Sequence, residues 1–127
     1  MRWALIFFVT LSASCAAAQS SACKLANTRG GYGDIAACNE ERFRVADAKM
    51  NSLYDRLLKQ LADQPDKRDQ LSRSQRSWVA HRDATCMFWA GVVDYNIPVC
   101  RHQVTEQRNT ILRRMHECLA EGGGKCS

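Results

Sequence analysis

The chain has 127 residues, a formal net charge of +5, 46% apolar residues and 24% charged ones. That length is enough for one domain with a working core. No stretch beyond residue 18 is long and apolar enough to span a bilayer. The basic residues are dispersed rather than gathered in a stripe, which argues against nucleic acid as a partner.

Residues 1–18 read as a secretory signal peptide. Arg2 is a short positive start, Trp3 to Leu11 an apolar run, and Ala16-Ala17-Ala18 a small-residue cleavage site. Gln19 is then the first mature residue, and 19–127 form a single helical domain that is periplasmic or secreted. Ser12-Ala13-Ser14-Cys15 loosely resembles a lipoprotein processing site. Ser12 stands where such sites usually carry leucine, so a lipid anchor at Cys15 is the disfavoured reading.

Cleavage removes Cys15 and leaves Cys23, Cys38, Cys86, Cys100, Cys118 and Cys126. An even set in a small exported domain reads as a disulfide framework. Six cysteines allow about fifteen pairings. Sequential pairing (Cys23–Cys38, Cys86–Cys100, Cys118–Cys126) is the expectation, because each bond would close a short local loop.

Residues 19–33 show no apolar period and carry Gly30, Gly31 and Gly33, so they are expected to be loop. Asp34 is the expected N-cap of a first helix running to about Asp63. Its stripe includes Ile35, Phe43, Ala46, Met50, Leu53, Tyr54, Leu57 and Leu61, at three- and four-residue steps. Pro65 ends it and Asp66 is the expected cap of a second helix, which reaches about Val93. Asp94 to Pro98 is a turn. A third helix starts near Val99, carries Val104, Arg108, Ile111, Leu112, Met115 and Leu119 in one arc, and stops at Gly122-Gly123-Gly124. With no alternating runs, the expected fold is all-α: an antiparallel three-helix bundle stapled by disulfides.

The second helix breaks the usual inside/outside rule. At 100° per residue, Leu71, Gln75, Trp78, Val79, Arg82, Cys86, Trp89 and Val93 share an arc about 100° wide. An amide and a guanidinium therefore sit among core-facing apolar residues, and buried polar groups need partners. Arg108 does the same on the third helix. Asp47 and Asp83 border the stripes of their own helices. Asp47, Gln75, Arg82, Asp83 and Arg108 are thus expected to form a structural polar network that registers the helices. On that view Arg108→Ala would cost about 3–5 kcal/mol by stranding a buried charged partner.

Three runs carry a family resemblance. Ala46-Asp47-x2-Met50-Asn51-x2-Tyr54 looks like the first hallmark of the LprI-like family of lysozyme inhibitors, with Met50 where leucine is usual. Gln75-Arg76-x-Trp78-x3-Arg82-Asp83-x2-Cys86 is similar to the second hallmark, and Cys100-x4-Thr105-x2-Arg108-x3-Leu112 to the third. The resemblance implies an exported bacterial helical domain whose partner is a lysozyme-type hydrolase or another envelope protein. It implies no inhibitory residue set.

Phe88 projects away from the Arg82 arc. With Tyr95 and Ile97 it is the candidate apolar contact for a partner; a small satellite cluster under the Cys86–Cys100 loop is the alternative. Trp78, Trp89 and Tyr54 are expected in the core. Cys100-x-His102 and His116-x-Cys118 lack the spacing of a known zinc module, and export favours disulfides over thiolates. No cofactor or metal is expected. The usual hydrolase and metalloprotease motifs are missing from the sequence. Asp47 and Asp83 would be held ionised by nearby arginines, the wrong state for a general acid. The expected function is a non-enzymatic binding module. The leading reading is a lysozyme inhibitor, and the alternative is an envelope interaction protein without inhibitory activity.

Overall fold

A computed structural model describes residues 21–93 and 96–122. The expected signal peptide, Cys15, Tyr95 and Cys126 lie outside them. The described residues form four helices and no strand: α1 (Ser21–Arg29), α2 (Tyr32–Gln60), α3 (Pro65–Val93) and α4 (Ile97–Ala120). The expectation of three helices is corrected by α1, which falls where a loop was expected. The segment holds good helix formers in Ala22, Lys24, Leu25 and Ala26. The Thr28 hydroxyl donates back to the Lys24 carbonyl at 3.0 Å. No residue of α1 is buried, so it leaves no apolar period to read. Gly30, at φ +63°, supplies the left-handed step that ends α1. The Cys23–Cys38 disulfide then ties α1 to α2.

Three helix starts also differ from expectation. The N-cap of α2 is Gly31, with no side-chain cap, and Asp34 lies in the first turn. There its charge favours the positive end of the helix dipole. α3 begins on Pro65, which fits a first helical position because no N–H is needed there, so Asp66 is a first-turn residue rather than the cap. α4 begins at Ile97, two residues before Val99. Asn96 caps it by accepting from the Val99 N–H at 3.2 Å, and Pro98 falls in its tolerant first turn.

Met50, Leu53 and Leu57 of α2 pack with Leu112 of α4 as the buried apolar centre. Tyr54, Leu71, Trp78, Val79 and Leu119 lean on it. The 50–53–57 spacing puts one face of α2 against α4. Along their backbones α2 and α4 approach each other more closely than either approaches α3. Much of what joins α3 is therefore long side chains and polar groups. Beside the apolar centre the interior also holds Gln75, Arg82, Thr105, Arg108 and Asn109, all buried.

The core stripes outrun the core. Ile35 near the start of α2 and Trp89 and Val93 near the end of α3 are exposed, although periodicity assigns all three to inner faces. Trp89 is thus a correction: its direction on the helix matches the stripe, but no described element covers it.

Candidate functional site

Arg82 projects from the middle of α3 and is buried. Its Nη1 donates to Asp47 Oδ1 of α2 at 2.8 Å and its Nε to Asp83 Oδ1 at 2.9 Å. Thr105 of α4 receives a longer contact at 3.4 Å. Arg101 of α4 approaches the same Asp83 oxygen at 3.1 Å. One guanidinium thereby joins three helices. Burial pulls its pKa down, but the hydrogen bonds and charges of Asp83 and Asp47 outweigh that and raise it above the ordinary arginine value.

Arg108 lies further along the same seam and has different company. Its Nε and Nη2 both donate to the Gln75 Oε1, at 3.1 and 3.0 Å. No carboxylate among the described residues pairs with it. Burial alone pushes its pKa below the ordinary value. Because both donors take the amide oxygen, the Gln75 Nε2 is left buried without a partner among the described residues. The Trp78 ring lies near both cations, 5.4 Å from the Arg82 guanidinium carbon and 5.5 Å from that of Arg108. The Phe43 ring of α2 also lies near Arg82, at 5.1 Å. Such contacts contribute roughly 0.5–2 kcal/mol as they become desolvated.

Asp47, Arg82 and Asp83 thus meet in one cluster, and Gln75 meets Arg108 in another. Sequence reasoning missed four contributors. Thr105 and Asn109 share the Arg108–Leu112 face of α4, so their spacing was the available signal. Asn109 Nδ2 donates to the Ala46 carbonyl at 3.1 Å and clips α4 to α2. Phe43 was placed on the stripe of α2, but nothing marked it as a neighbour of a cation, and Arg101 carried no signal.

The end of α3 has another character. Met87, Phe88, Trp89, Val92 and Val93 are between 46% and 61% exposed and contiguous along the last two turns. Phe88 and Trp89 meet edge to face, with ring centroids 5.7 Å apart. The Cys86–Cys100 disulfide anchors this end to α4, so the patch is carried on a braced helix. Ile97 is only partly exposed beside it, and Tyr95 is outside the described residues.

Cys100 is in a disulfide, and Cys118 is disulfide-bonded as well. Neither is a free thiolate for a metal, and no group of three potential ligands occurs among the described residues. The expected partner of Cys118, Cys126, lies outside them. No described helix is long and apolar enough to cross a membrane.

A family model described as lysozyme inhibitor LprI matches residues 15–112. No curated protein and no solved structure is matched by the chain.

Proposed function

The chain belongs to the LprI family of lysozyme inhibitors, and from that premise we propose that it is an exported binding module that inhibits a lysozyme-type cell-wall hydrolase. The observation that carries the reading is the apolar end of α3. Phe88, Trp89, Val92 and Val93 share an arc of about 140° and present on the order of 400 Å² of apolar surface, the size of the largest patch on a typical monomer. Aromatic anchors on a rigid support are the usual hot spots of protein interfaces. With residues 1–18 and their Arg2 removed the net charge is +4, which gives no electrostatic steering toward a basic hydrolase, so an apolar anchor suits such a partner better than a charged one. In this reading the Arg82 and Arg108 clusters hold the three long helices in register and take no part in chemistry, which makes the protein a non-enzyme.

A turbidity assay of cell-wall lysis tests the proposal. Excess protein should slow lysis, and Phe88→Ser with Trp89→Ser should weaken inhibition at least about tenfold, as loss of two anchors implies. Both side chains are exposed, so the helical melt should stay unchanged. Lysis that proceeds equally with and without excess protein would overturn inhibition. Capture of a specific envelope protein through the same patch, without any effect on lysis, would then favour an interaction protein.

A further inference from the structure

At the other end of α3 a cleft of about 1060 Å³ opens between the start of α3 and the last turns of α2 and α4. We propose that this cleft binds a single-chain anionic amphiphile, a long-chain carboxylate, with its hydrocarbon between the helices and its head group on Lys67 and Arg114.

The volume is just above the usual range of about 300–1,000 Å³ for small-molecule sites. Leu57 and Leu61 form a buried floor, while Ile111 and Met115 line one wall at 44% and 42% exposure. These are apolar side chains on an inner face that no described element covers. α3 joins α2 near here through the Tyr54 hydroxyl, which donates to Ser72 Oγ at 2.9 Å. That polar strut holds the helices without filling the gap.

Rim charge selects the head group. Lys67 and Arg114 line the cleft and have no acidic partner among the described residues. Glu117, also on the rim, lies 3.8 Å from Arg113. Glu121 is the remaining rim acid. Arg113, which does not itself line the cleft, offsets Glu117, so Lys67 and Arg114 stand against Glu121 alone and leave one positive charge in excess. One excess charge suits a monoanion, and a guanidinium fork suits a carboxylate. The cleft and the Phe88–Trp89 surface occupy opposite ends of α3, so this site does not depend on the inhibitory reading.

The test is titration of the full chain, disulfides intact, with dodecanoate and with 1-dodecanol, each below its aggregation threshold. One saturable site for dodecanoate is expected, with the alcohol at least about tenfold weaker, a difference of ~1.4 kcal/mol. Met115→Glu should abolish dodecanoate binding, and its helical melt should stay normal because the residue is partly exposed. The double change Lys67→Glu with Arg114→Glu should remove the preference for the carboxylate while leaving alcohol binding in place. The proposal is overturned by the absence of saturable binding, which includes a cleft already filled by the chain's own C-terminal residues. Equal affinity for acid and alcohol in the unmodified protein, or Met115→Glu binding as the unmodified protein does, also overturns it.

Discussion

Arg82 and Arg108 lie along one helical seam, touch the same tryptophan and are both buried, yet they are solvated by the protein in opposite ways. Arg82 has two carboxylates, Asp47 and Asp83. Arg108 has one neutral amide oxygen. Burial penalises both cations, and only for Arg82 is the penalty offset by opposite charge. A guanidinium on an apolar stripe thus says that a polar partner exists, but not whether that partner is charged. The energetic consequences follow from the partner.

The largest expected effect breaks the Arg82 side. Arg82→Ala takes the cation from Asp47, leaves Asp83 with Arg101 alone and removes the packing on Phe43 and Trp78; with both carboxylates about a third exposed it should cost about 2–4 kcal/mol in a urea or thermal melt. A melt that does not move would mean that the three-helix junction carries no stability. Arg82→Lys should recover only part of the loss, because a single ammonium cannot reach both acids as the fork does.

Arg108→Ala comes next. Its partner is an amide, so the earlier expectation of about 3–5 kcal/mol is too high. Stranding the Gln75 oxygen should cost about 1–3 kcal/mol. A loss as large as that of Arg82→Ala would erase the distinction between the clusters. The smallest effect sharpens it. Gln75→Leu combined with Arg108→Met replaces a charge and an amide with apolar groups of similar length, and removes the orphaned Gln75 N–H. Stability should then match or exceed the unmodified protein by ~1 kcal/mol. The matching neutral replacement of Arg82 would still leave Asp47 without a cation and Asp83 with Arg101 alone. pH offers no shortcut. The raised pKa of Arg82 keeps its contribution present below the ordinary arginine value, and it is lost only as pH rises through the folded value. The depressed pKa of Arg108 makes its charged state a constant penalty until pH rises through that lowered value. The ordinary arginine value lies far above neutrality, so substitution rather than titration is the way to separate them.

Much of this arrangement was readable from spacing. Met50, Leu53, Leu57 and Leu112 recur at helical steps because an inner face must be apolar, and that periodicity located α2, α3 and α4. α1 escaped because a helix that buries nothing has no period. Gln75, Arg82 and Arg108 could be picked out because polarity on an inner face is conspicuous. Which acid meets which arginine could not, since periodicity gives the direction of a side chain and not the depth or identity of what lies opposite. Trp89 and Val93 show the same limit: their direction was legible, but the end of the neighbouring cover was not. The cleft beside Lys67 and Arg114 had no sequence signal, because it arises from how far α3 stands from α2 and α4.

The two disulfides with both ends described have a consequence for the order of assembly. Each spans a short sequence separation, 15 and 14 residues, and joins neighbours in the chain: α1 to α2, and α3 to α4. Neither ties α2 to α3 or to α4. Each can therefore close in an oxidising compartment as soon as its own helical hairpin forms, reducing the unfolded chain's freedom by about 3 kcal/mol in the entropic account. What remains is the docking of two covalently closed hairpins, and that step rests on groups no covalent bond protects: Asp47 reaching Arg82, and Ala46 reaching Asn109. Oxidation thus organises the halves, while the recognition between them stays reversible.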